Sequence, residues 1–248
     1  MVDLIFFAFP GIDRVGCAFQ RRVSADPVAD TITLTGCRSD QERQAAVANR
    51  RKMARQCGVW AVAELRQVHG DVTVFDASPI APDVEPEQEA DGLTSTRPGL
   101  GLLIKTADCQ PVLLAHASGK YVAALHVGWR GNRRHYPFSG VRAFCDHYGL
   151  NPRDVHAVRG PSLGPAAARF TAFDDEWGEV FRPWYSPNTL TMDLWSLTRN
   201  QLLRAGLPPE HIYSLDLCTY TLSGNFFSHR RDKGPGRQGS LIWITNND

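Results

Sequence analysis

Three residues able to bind a metal sit where hydrophobic runs break into turns. They are His69 in Gln67-Val68-His69-Gly70, Cys109 in Ala107-Asp108-Cys109-Gln110-Pro111, and His126 in His126-Val127-Gly128-Trp129-Arg130-Gly131. A thiolate and two imidazoles suit Zn²⁺, and three protein ligands leave one position open for water or substrate, as in a catalytic site. Singly, each residue has another reading. Cys is among the most buried residue types, and a lone His at a strand end is often a packed side chain. The spacing is not the tight CxxC or HExxH kind, so the residues alone leave both readings open.

Strands must carry these residues. Leu100–Thr106 and residues 112–116 bracket the Asp108 turn, and residues 121–126 follow Ser118-Gly119, a hairpin signal, so central strands are expected. Period-two alternation puts Val122, Ala124 and His126 on one face, which makes His126 the end of a buried line that opens at Gly128. Residues 59–75 read as strand and contain His69. Residues 77–89 are polar and carry Pro79, Pro82 and Pro86, so they read as a surface loop. A domain boundary there would part His69 from the other two residues, and one domain over residues 1–248 is expected. Ser39-Asp40-Gln41-Glu42 opens a helix running to Cys57, and residues 138–148 and 193–205 read as further helices. With strands at residues 155–158, 212–217 and 241–245, the fold class is α/β, in mixed α+β layers, without the GxGxxG turn of a Rossmann sheet.

The chain has 248 residues, 43% of them hydrophobic, and its 27 basic and 26 acidic residues give a formal charge of +1. That length supports a full core, and so balanced a charge offers no field to gather nucleic acid or an anionic membrane. A small molecule is the expected partner. The start, Met1-Val2-Asp3-Leu4-Ile5-Phe6-Phe7, lacks a basic region and a cleavage site, and no stretch approaches a membrane span. Six scattered cysteines do not make a secreted disulfide scaffold, so a cytoplasmic setting is expected.

Further along come Gly160-Pro161-Ser162-Leu163-Gly164, Cys218-Thr219-Tyr220-Thr221, Phe226-Phe227-Ser228-His229-Arg230-Arg231-Asp232 and Gly236-Arg237. Together with the three turns, and in this order, these segments resemble the multicopper polyphenol oxidase (laccase-like) family. Its members are also described as bacterial purine nucleoside phosphorylases and, in some cases, as peptidoglycan editing factor. The resemblance covers nearly the whole chain. It implies a Zn²⁺ ion on His69, Cys109 and His126, which then form the catalytic centre, beside a pocket for a purine nucleoside and phosphate. It implies phosphorolysis of adenosine, inosine, guanosine or methylthioadenosine, with hydrolytic deamination of adenosine in the same site. The alternatives are an amidase-like hydrolase editing peptidoglycan precursors and a copper-dependent phenol oxidase. Copper fits less well, since a multicopper oxidase needs more paired His motifs than the 8 His here supply.

Phosphate chemistry needs cationic donors, and Arg130, Arg230, Arg231 and Arg237 are the candidates. Each has a structural alternative, because arginines in turns brace carbonyls and carboxylates; Asp232 beside Arg231 is a ready partner. Asp91, in Ala90-Asp91-Gly92, stands at the family's acidic position and reads as a turn residue or a pocket carboxylate, so it joins the substrate-binding candidates. Cys218 reads as a buried, inert thiol. The family pattern is broken at Gln20-Arg21-Arg22-Val23-Ser24, which lacks the usual turn glycines, and this bears on substrate choice. The oligomeric state is left open.

Overall fold

Short β-rich runs that end at Gly, Asp or Pro become strands, and only the capped, amphipathic stretches become long helices. The computed structural model describes residues 1–24 and 29–246. The strands are β1 (Asp3–Phe7), β2 (Val15–Arg21), β3 (Ala61–Ala63), β4 (Thr73–Val74), β5 (Gly92–Ser95), β6 (Leu100–Thr106) and β7 (Gln110–His116). They continue with β8 (Val122–Val127), β9 (Val155–Arg159), β10 (Tyr185–Ser186), β11 (Thr191–Met192), β12 (Ile212–Ser214) and β13 (Gln238–Ile244). The helices are α1 (Asp40–Gln56), α2 (Trp129–Arg133), α3 (Tyr136–Tyr148), α4 (Phe173–Glu176), α5 (Leu194–Ala205) and α6 (His229–Asp232).

One sheet runs β1-β2-β13-β6-β3 and the other β12-β9-β7-β8-β5-β4, with β10 and β11 pairing separately. The two large sheets stack face to face. Their shared interior takes Cys17, Phe19, Leu102, Ile104 and Ile242 from the first and Leu113, Ala115, Val122, Ala124 and Val158 from the second. Alternation sends Ala123, Leu125 and Val127 the other way, onto Val141 and Phe144 of α3 and Leu202 of α5. Met53 of α1 covers the outer face of the first sheet with Ala18, Leu103 and Leu241. The result is a mixed α+β sandwich of four layers, helix, sheet, sheet, helices.

The Ser39 cap is made as the sequence indicates, and a glycine closes α3. Ser39 Oγ accepts from the Glu42 N–H at 3.2 Å, and α3 ends on Gly149 at φ 65°. Residues 59–75 do not form one strand. Only β3 and β4 are strands; between them Arg66 makes an isolated parallel bridge to Glu89, and the chain then leaves the sheet to build the His69 turn. β12 likewise stops at Ser214, short of the expected residue 217, beside the Arg159 side chain, which reaches the Leu215 carbonyl and the Asp216 carboxylate.

Candidate metal centre

The His69 turn is shaped from behind. Gln67 extends the β3–β6 pairing with its side chain, Nε2 donating to the Lys105 carbonyl at 2.8 Å and Oε1 accepting from the Lys105 N–H at 2.9 Å. Beyond it the N–H groups of Val68, His69 and Gly70 converge on the Asp91 carboxylate at 3.2, 2.9 and 2.6 Å. Capturing three successive donors holds His69 at φ 59°, a left-handed conformation that side chains other than Gly disfavour. The imidazole is thereby presented to solvent.

Cys109 follows Asp108, which turns at φ 93° between β6 and β7. That turn is pinned by Thr219 Oγ1 donating to Asp108 Oδ1 at 2.8 Å, by the Arg230 N–H donating to Oδ2 at 2.6 Å, and by the Leu163 N–H donating to the Asp108 carbonyl at 2.9 Å. Asp108 is thus a turn brace, with both carboxylate oxygens engaged.

His126, 3% exposed, sits near the end of central strand β8. Its Nδ1 lies 2.7 Å from Asp91 Oδ1, so the ring N–H donates there and Nε2 is the nitrogen left to face an ion. The ligand atoms of His69, Cys109 and His126 all lie within 4.8 Å of one another. Gly128 permits this approach: a Cβ there would stand 2.9 Å from His69 Cδ2 and 3.1 Å from Cys109 Sγ. The sequence marked Gly128 as the turn after His126 but not its close approach to the other two ligands, and it gave no sign of the role of Gln67.

The electrostatics favour a cation. Burial pushes the Cys109 thiol up, but the neighbouring His126 and His69 imidazoles outweigh it and bring it down to about 6. Burial pushes His126 down, while the Cys109 thiolate and the Asp91 carboxylate push it up to about 9. Burial also acts to raise Asp91, yet its bonds from His126, Gly70 and His69 hold it below the usual carboxylate range. A thiolate beside an imidazolium has a proton that a divalent ion can replace. The donor set, the oriented Nε2 and the close approach fit Zn²⁺.

The other candidates separate. Asp91 is 0% exposed and its carboxylate is engaged by His126 and three backbone donors, which places it behind the two histidines. Its sequence position could not show this, because its partners come from elsewhere in the chain. Arg231 braces the carbonyls of Thr219, Tyr220 and Phe226 and pairs with Asp232 at 2.7 Å. Arg230 donates to the Arg169 carbonyl at 2.5 Å and lies 5.4 Å over the Phe170 ring. Arg130 is exposed and lies 4.4 Å over the Trp129 ring. Arg237 donates through Nη1 to the carbonyls of Gly234 and Gly236, and its Nε and Nη2 have no protein partner among the described residues. Burial lowers its pKa, and the charges of Cys109 and Asp108 draw it back up, which places it in electrostatic reach of the cluster. At the broken N-terminal motif, Arg21 pairs with Asp3 at 2.7 Å and Arg22 lies 5.3 Å from the Phe227 ring.

Residues 18–245 match the family described as multi-copper polyphenol oxidoreductase laccase, and the chain belongs to it. Among curated relatives, a purine nucleoside phosphorylase of Xylella fastidiosa Temecula1 is 38% identical over 213 residues, 79% of this chain and 77% of its own. The purine nucleoside phosphorylase YfiH of Escherichia coli K12 is 36% identical over 189 residues, 73% of this chain and 72% of its own. YlmD of Geobacillus stearothermophilus, a solved structure 26% identical, superposes with a TM-score of 0.82 over 96% of this chain and 94% of its own.

Proposed function

We propose that this protein is a zinc-dependent purine nucleoside phosphorylase whose catalytic centre is His69, Cys109 and His126. The observation that carries the reading is the convergence of these three side chains within 4.8 Å, with Arg237 in reach, in a chain whose relatives bear that name. A Zn²⁺ ion on the cluster would supply Lewis-acid polarisation. The remaining work falls to the chain. Asp91 keeps His126 in the tautomer that leaves Nε2 free, and its cradle fixes His69. Arg237 Nε and Nη2 hold a phosphate, while the exposed Arg130 and the clamped Arg230 line its approach. A phosphate oxygen then bonds the sugar C1′, the bond from C1′ to the purine nitrogen breaks, and its electron pair leaves with the base, which takes up a proton.

Adenosine deamination, in which water adds at C6 and ammonia departs, belongs to the same proposal, as does the range of adenosine, inosine, guanosine and methylthioadenosine. We read residues 1–248 as one domain, supported by the interior that both large sheets share. All six cysteines are free thiols, which a reducing cytoplasm would maintain, and among the described residues no helix is long and apolar enough to cross a membrane.

The test is product analysis with adenosine and with inosine, each with and without phosphate, alongside metal analysis and Cys109→Ala as the blank. Phosphate-dependent release of free base, lost in the variant together with zinc, is expected. A protein that holds zinc and turns over no nucleoside would sink the reading and direct attention to peptidoglycan precursors; bound copper with phenol oxidation would replace zinc.

A further inference from the structure

The segment bearing Cys109 and the segment following His126 are joined from behind by a chain of buried amides that touches no ligand atom. Gln110, the residue after Cys109, donates Nε2 to Asn132 Oδ1 at 2.9 Å. Asn132, in α2, donates Nδ2 to Thr198 Oγ1 of α5 at 2.8 Å, and its carbonyl accepts from Gln201 Nε2 of α5 at 2.8 Å. Gln110, Asn132, Thr198 and Gln201 are 2, 0, 1 and 1% exposed, so water does not compete for these bonds.

The chain sacrifices stability to exist. Gln110 Oε1 and Gln201 Oε1 are buried and take no partner, so each amide is turned to serve Asn132 at the expense of its own carbonyl oxygen. Apolar side chains of similar size would fill the same space without stranding those oxygens. What the amides supply instead is direction. β7 begins at Gln110 and α2 begins at Trp129, so fixing both to α5 fixes where Cys109 Sγ stands against the Gly128 turn and His126. Asp91 joins the His69 turn to His126, and Asn132 closes the remaining side of the triangle.

We infer that Asn132 and Thr198 are positioning residues for the metal centre, an inference that rests on reading His69, Cys109 and His126 as its ligands. Thr198→Val removes the hydroxyl that Asn132 donates to while keeping the side chain's shape, and Thr198→Ser restores it. Wild type and both variants are loaded with Co²⁺. The thiolate-to-cobalt charge-transfer band is recorded, then the rate at which a chelator strips the ion. Outer partners of metal ligands change affinity by about 10–100-fold, so Thr198→Val is expected to shift or weaken the band and lose cobalt about tenfold faster, with Thr198→Ser near wild type. Gln201→Leu, which removes the other contact from α5 to Asn132, is read in the same way and expected to change in the same direction.

A Thr198→Val protein that melts lower yet keeps the wild-type band and stripping rate would reduce the chain to a structural role and overturn the inference. Wild-type protein that binds no cobalt would remove the ligand assignment itself, and the inference with it.

Discussion

The imidazole of His126 and the carboxylate of Asp91 meet at 2.7 Å with side chains 3% and 0% exposed, and the same carboxylate gathers the N–H groups of Val68, His69 and Gly70. One buried anion therefore orients two of the three candidate ligands, one through its ring and the other through its backbone. Asp91→Asn keeps the size but turns an amide N–H₂ toward groups that are themselves donors. Zinc affinity is expected to fall about 10–100-fold while the far-ultraviolet circular dichroism is retained. Chelator competition measures this; an unchanged affinity would show that the cradle is dispensable.

Gly128 precedes α2 at φ −78°, a backbone any residue adopts, so replacing it tests space alone. Gly128→Ala brings a methyl group to 2.9 Å from His69 and 3.1 Å from Cys109. The sheet should be unaffected and the ligands pushed apart. Metal content after dialysis is expected to collapse with a melting temperature close to that of metal-free wild type; full metal occupancy would mean that the ligands approach differently.

Arg237 and Arg231 are expected to behave oppositely. A hydrogen bond to a charged group contributes about 1.5–3 kcal/mol, so Arg237→Ala should raise KM for phosphate by about 10–150-fold with little effect on KM for nucleoside. Arg231→Ala strands the carbonyls of Thr219, Tyr220 and Phe226 and should lower the melting temperature while leaving KM for phosphate near wild type. Steady-state kinetics and thermal melts on the pair decide, and the reverse pattern would exchange their roles.

His156 in β9 is 7% exposed and stacks on His211 with ring centroids 3.7 Å apart, with Phe9, Tyr213, Asp154 and His116 around it. Burial, then the His211 charge, push its imidazole down to about 4. In the unfolded chain the value returns to about 6.5. Between these values the unfolded state binds more protons, so the contribution to stability is complete above about 6.5 and is lost as pH falls toward 4. Melting temperatures across this range should fall less steeply for His156→Phe than for wild type; parallel curves would refute the assignment.

The sequence made His69, Cys109 and His126 visible because each interrupts a hydrophobic run, and alternation along β8 correctly sent His126 inward with Val122 and Ala124. The α+β layering and the three long helices, α1, α3 and α5, were readable for the same local reasons. Asp91 was read beside the arginines because its partners lie 21 to 35 positions away along the chain, and the β5–β8 and β4–β5 pairings bring them together. The reading of residues 59–75 as strand overran because that cradle pulls the middle of the segment out of the sheet. α2 escaped notice since its five residues, Trp129–Arg133, include a glycine and complete barely more than one turn. The sorting of the arginines depends on which carbonyls surround each guanidinium, which spacing cannot express.

The candidate ligands differ in how firmly their supports are held. Cys109 and His126 border β7 and β8, the innermost strands of the second sheet, whereas His69 rides on a solvent-facing turn outside both sheets. Local opening of that turn needs far less free energy than disrupting the strands. An ion gripped in this way can exchange by releasing one donor at a time. Turnover of a metal bound there would be uncoupled from global unfolding, and amide deuteration at Val68–Gly70 should keep pace with it while β7 and β8 stay protected.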